Sequence, residues 1–124
     1  DQQFTPRTSD SKTEILQNLV DAIESNYCKL HSPQEYADEL SLSPKTLAGI
    51  VKKYLNQTTS SLISNRIIIE AKRELYLTSK PVKQIAAFLG YDDEFYFSRF
   101  FKKKVGVSPD IYRKTVGFAK LESN

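Results

Sequence analysis

Glu94, Phe95, Ser98, Arg99 and Lys102 recur at spacings of three and four, which puts them on one face of a helix. Phe97 and Phe101 take the opposite face. An arginine so placed can hold a guanine edge through two parallel hydrogen bonds, and Glu94 can accept from a cytosine amine. Ser98 can serve a base or a phosphate. Phe95 can touch a thymine methyl, or it can pack on a neighbouring turn. Arg99 also has a purely structural option, an ion pair with Asp93 or Glu94. Lys102, Lys103 and Lys104 continue the segment as a run of cations. Fifty residues upstream, Lys45, Thr46, Ala48, Gly49, Lys52 and Lys53 form a second group at similar spacings.

Other chemistries lack material. His31 is the only histidine and Cys28 the only cysteine, and two ligands three residues apart do not make a zinc site. A His-dependent acid–base centre is equally unsupported. The four glycines are dispersed and form no phosphate-binding loop. No enzyme, cofactor or metal is expected, and Cys28 reads as a partly buried small apolar residue. No apolar run approaches the roughly 20 residues of a membrane helix. The net charge of +3 conceals an asymmetry. Residues 1–41 carry three basic against eight acidic side chains, a net −5, whereas residues 42–124 carry fifteen against seven, a net +8. The second part therefore suits an anionic partner, with nucleic acid and membrane headgroups both open on charge alone.

These groups need elements to position them. Ile15, Leu16, Leu19, Val20 and Ile23 predict an amphipathic helix over about 11–26. Ser32-Pro33-Gln34-Glu35 is a capping box that opens a short helix over 33–40. Ser43-Pro44 starts a third helix, running to about Leu55 and burying Leu47, Ile50, Val51 and Tyr54. The longest periodic segment, about 61–77, predicts one long helix touching core on several sides. A short helix over 81–88 ends at Gly90, where a left-handed residue is expected. Asp92 is the expected cap of the next helix, through Lys104, which buries Phe97, Phe100 and Phe101. Ser108-Pro109 opens a last helix reaching about Phe118. The fold class is all-α, with about seven helices.

The two short-helix pairs superimpose. Ala37, Ser41, Leu42, Leu47, Val51, Lys52 and Lys53 correspond to Ala86, Gly90, Tyr91, Phe97, Phe101, Lys102 and Lys103, at an offset of 49–50. Each pair is a helix-turn-helix: a small residue where the helices cross, a turn, and a second helix with one face free for a major groove. The segments Val82-Lys83-Gln84-Ile85-Ala86, Leu89-Gly90-Tyr91-Asp92-Asp93, Tyr96-Phe97-Ser98-Arg99-Phe100-Phe101-Lys102-Lys103 and Gly106-Val107-Ser108-Pro109-Asp110-Ile111-Tyr112-Arg113 resemble the signature of the AraC/XylS transcription regulators. Glu70-Ala71-Lys72-Arg73 is similar to that family's linker helix, and Ser43-Pro44-Lys45-Thr46-Leu47 to its first recognition helix. The likeness spans about residues 14–113.

The resemblance implies two helix-turn-helix units, over 11–58 and 80–118, joined by a long central helix over 59–79. Residues 1–10 would be the remnant of a connection and 119–124 a tail. The implied function is sequence-specific binding of double-stranded DNA, with two recognition helices in successive major grooves and no chemistry performed. The rival is a protein-interaction module that keeps the fold without specific DNA binding. Base-reading candidates are Lys45, Thr46, Ala48, Gly49, Glu94, Phe95, Ser98 and Arg99. Phosphate candidates are Lys52, Lys53, Lys102, Lys103 and Lys104, with Lys45 also placed for that role. The first recognition helix departs from the family in Ala48 and Gly49, where longer polar side chains are common, and a glycine within a helix costs roughly 1 kcal/mol. Either this helix approaches DNA closely and reads shape and phosphates, or it contributes little sequence information. Val51 replaces a common aromatic, and Asn56 a usual glycine. The chain has no Met and begins at Asp1, so a piece of a longer protein is expected, without the family's effector or dimerisation domain. The full protein would be a cytoplasmic transcription regulator, with activation and repression both open, and with RNA polymerase as a further partner.

Overall fold

The computed structural model describes residues 11–118, so the expected connection at 1–10 and tail at 119–124 lie outside the described residues. The described chain is helical: α1 Ser11–Asn26, α2 Pro33–Glu39, α3 Pro44–Leu55, α4 Thr59–Leu77, α5 Val82–Phe88, α6 Glu94–Val105 and α7 Pro109–Tyr112. A π-helical segment, Arg113–Phe118, follows α7, where one continuous last helix was expected. No strand occurs among the described residues. The chain divides into two compact units between Ser64 and Asn65, inside α4.

In the first unit, Leu19 and Ile23 of α1, Tyr36 and Ala37 of α2, Leu47, Ile50 and Val51 of α3, and Ile63 are buried. Tyr36 reaches out of that core to donate its hydroxyl to Leu30 O at 2.9 Å. The capping box forms as expected: Ser32 Oγ accepts from Glu35 N, and the Glu35 carboxylate accepts from the backbone of His31 and Ser32. Tyr54, expected in the core, is instead 40% exposed.

In the second unit the core is Ile67, Ile68, Ala71 and Leu75 of α4, Ile85, Ala86 and Leu89 around α5, Phe97 and Phe101 of α6, and Pro109. The α4 contribution is one stripe at i, i+4 and i+8 with Ile68 beside it. Ile69 and Leu77 lie in solvent at 60% and 63% exposure. Glu70, nearly buried, is neutralised by Arg66 one turn earlier at 3.4 Å. Arg113 returns to the end of α4, donating to Leu75 O at 3.0 Å and Thr78 O at 3.1 Å.

Candidate nucleic-acid interface

Each helix-turn-helix pair builds its second helix, α3 or α6, by the same local chemistry. α3 and α6 are both twelve residues long. Ser43 caps α3, its hydroxyl accepting from Thr46 N, and Asp93 caps α6, its carboxylate accepting from Phe95 N and Tyr96 N. The cap of α6 is therefore Asp93 and not Asp92. The turn before α6 is one residue longer than its counterpart, which is why the offset grows from 49 at Ala37 and Ala86 to 50 at Ser43 and Asp93. Both helices end on a left-handed residue, Asn56 at φ 54° and Gly106 at φ 103°. The turns also agree: Leu42 N donates to Ala37 O and Tyr91 N to Ala86 O, each at 2.9 Å, with Ser41 and Gly90 both at positive φ.

The correspondence continues into the helix that follows each pair, α4 and α7. Thr58 Oγ1 accepts from Ser61 N at 3.0 Å, and Ser108 Oγ accepts from Ile111 N at 3.2 Å. Thr58 thus caps α4, which begins at Thr59.

With Phe97 and Phe101 inward, α6 turns Phe95, Arg99, Lys102 and Lys103 to solvent, and Phe95 is 68% exposed. Packing of Phe95 on a neighbouring turn is thereby discounted. Glu94 and Ser98 are half-buried at the edge of this face. Among the described residues Arg99 is paired with neither Asp93 nor Glu94, and the Asp93 carboxylate serves the cap. Lys104 is exposed but falls seven residues beyond Phe97, on the side of the helix away from Arg99. Tyr96, which sequence reasoning left out, is 56% exposed and lines a shallow depression with Arg99, Phe100 and Lys103. Tyr91 supports it, its ring 5.9 Å from Tyr96, 5.8 Å from Phe100 and 5.5 Å from Phe97. Burial holds the Tyr91 hydroxyl protonated, raising its pKa to about 12, with a smaller contribution from Tyr96. Phe100, expected in the core, is accordingly half-buried in this ring cluster.

On α3, Leu47, Ile50 and Val51 point inward, and Lys45, Thr46, Ala48, Gly49, Lys52 and Lys53 are exposed. The helix carries no carboxylate. Lys12, from the first turn of α1, lines the same depression as Lys45, Gly49 and Lys53. Sequence reading assigned α1 to the acidic part and missed this lysine, because its position depends on how α1 packs against α3 and not on spacing. Among the described residues no group of three or more His, Cys, Asp or Glu side chains could hold a metal ion, and no helix is long and apolar enough to cross a membrane. Cys28 is half-buried.

Residues 36–115 match the helix-turn-helix domain family, and the proteins to which this chain is similar include the arabinose operon regulators. The chain belongs to the AraC/XylS family. The raffinose operon transcriptional regulatory protein RafR of Pediococcus pentosaceus is 31% identical to this AraC-type domain over 105 residues, 85% of this chain and 38% of its own. The arabinose operon regulatory protein of Escherichia coli is 35% identical over 77 residues, 62% of this chain and 26% of its own. The chain thus spans well under half the length of these curated relatives. Among solved structures, the C-terminal domain of AraT, a response regulator from Geobacillus stearothermophilus, matches with a TM-score of 0.76 at 32% identity, covering 82% of this chain and 84% of that one. The fold is that of AraC-type all-α DNA-binding domains, and DNA binding in transcription regulation is the function of the domain.

Proposed function

We propose that this AraC-type domain binds duplex DNA sequence-specifically, offering α3 and α6 to major grooves. The observation that carries the reading is the placement of charge: the outward faces of α3 and α6 hold Lys45, Lys52, Lys53, Arg99, Lys102 and Lys103, and the only carboxylate on either helix is Glu94. Arg99, Glu94, Phe95 and Ser98 are assigned to base edges. The lysines are assigned to phosphates, which fix register without naming a sequence. Lys104 stands outside this set by its direction on the helix. The domain would serve a longer cytoplasmic regulator whose effector or dimerisation domain and contacts with RNA polymerase lie elsewhere.

Fluorescence anisotropy of labelled duplex at rising salt tests the reading. About six phosphate contacts lower the affinity roughly a thousandfold between 50 and 200 mM salt, by counterion release. Affinity that ignores salt, or no duplex binding at low salt, would replace this reading with the protein-interaction module.

A further inference from the structure

From cap to cap, α3 and α6 align without a gap, fifty residues apart. Positions turned inward match in kind, Leu47 with Phe97 and Val51 with Phe101, and Lys52-Lys53 matches Lys102-Lys103. Every other outward position differs. Lys45 corresponds to Phe95, Thr46 to Tyr96, Ala48 to Ser98 and Gly49 to Arg99. The lysine pair common to both helices is the part suited to phosphate, which is the same on any sequence. The differing positions are where base edges would be read.

We infer that the second unit reads bases through α6, while the first holds the sugar-phosphate backbone, with Lys12 of α1 as part of that hold. The inference rests on duplex DNA being the ligand. Two observations on the first unit support it. A Cβ built on Gly49 meets nothing within 4 Å, so neighbouring atoms do not demand glycine there, and the position that carries Arg99 in α6 stands vacant. Beside it, Lys12, Lys45 and Lys53 line one depression that contains no carboxylate. Lys53 is held over the Tyr54 ring, its Nζ 5.5 Å from the ring centre. Ammonium groups act as point charges and lack the planar fork that grips a base edge at two atoms. Three of them around a concavity form a seat for phosphate oxygens. Outward on α6, by contrast, are a guanidinium and two exposed aromatic rings.

Selection from random duplex DNA, followed by anisotropy on the winning site and on random duplex, separates the outcomes. The wild-type domain is expected to select one informative block of base pairs, not two. Gly49→Arg is expected to add a second block with a guanine preference of at least about fivefold, the low end for one bidentate pair. Lys12→Ala is expected to weaken the best site and random duplex by the same factor and to reduce the salt slope by about one. Gly49→Ala should keep the wild-type preference and bind within about twofold, and it keeps the test open should Gly49→Arg fail to fold. Two blocks from the wild type, no new preference in a folded Gly49→Arg, a salt slope unmoved by Lys12→Ala, or a tenfold loss in Gly49→Ala would each overturn the division of labour. No binding to any duplex at low salt would instead remove the DNA-binding reading beneath it.

Discussion

Replacing Arg113 by Ala should remove a clasp on the end of α4. The guanidinium donates through Nε to Leu75 O at 3.0 Å and through a terminal nitrogen to Thr78 O at 3.1 Å. α4 ends at Leu77, so Leu75 O belongs to the last four carbonyls, which have no partner within the helix. The positive group also meets the negative end of the helix dipole. Hydrogen bonds from a charged donor contribute about 1.5–3 kcal/mol each. Arg113 is half-buried, so water replaces part of what is lost, and the low end of that range is the better guide for each. The two together give an expected loss of about 2–3 kcal/mol. For a chain of this size that lowers Tm by roughly 10 °C. Urea and thermal unfolding followed by far-ultraviolet circular dichroism would measure it. Arg113→Lys keeps the charge but cannot span both carbonyls, and should recover about half. The salt slope of DNA binding should not change, because Arg113 faces α4. A loss below about 0.5 kcal/mol for Arg113→Ala would refute the clasp.

Three further outcomes follow from the geometry. Arg99→Ala should relax base preference at one position by about 1–3 kcal/mol, whereas Lys52→Ala should weaken all duplexes alike; equal weakening by Arg99→Ala in a binding-site competition would make it a phosphate contact. Hydrogen bonds from His31 N, the Ser32 hydroxyl and Ser32 N hold the Glu35 carboxyl below its usual pKa of 4.5. Its stabilisation is therefore present above the unfolded value and is lost as pH falls through the lowered one, so the Tm difference between wild type and Glu35→Gln should shrink towards acid; a constant difference across pH would contradict this. Ser41 at φ 58° holds a conformation that costs a non-glycine residue roughly 1–2 kcal/mol. Ser41→Gly should stabilise by up to about 1 kcal/mol and Gly90→Ser, at φ 92°, should destabilise, both measured by urea midpoint.

Local chemistry was the most legible part of the sequence. Ser32, Ser43 and Ser108, each followed by proline, mark helix starts that depend only on a hydroxyl and the nearest backbone N–H groups, and all three caps form. Asn56 and Gly106 end their helices for equally local reasons. Errors arose where a tertiary partner decides. Ile69 has the residue type of core but lies off the stripe of Ile67, Ala71 and Leu75. Asp92 and Asp93 are both good caps, and the longer turn selects the second. The π-helical segment after Tyr112 carries no periodic mark of its own, and it begins at Arg113, whose side chain is drawn to α4. At the candidate interface, spacing placed Arg99 and Lys102 on one face. The exposure of Tyr96 above the Tyr91 ring and the arrival of Lys12 beside α3 depend on tertiary packing, which spacing does not carry.

The matching caps Thr58 and Ser108 carry the repeat beyond the two twelve-residue helices. A capped helix, a left-handed stop and another capped helix recur at an interval of fifty. The helix that follows the stop then differs, nineteen residues in α4 and four in α7 before the pitch changes. Caps and stops are made of local backbone bonds, so substitutions on the outward face of α3 or α6 leave the start and end of that helix in place. The chain thereby holds two surfaces that can be changed separately.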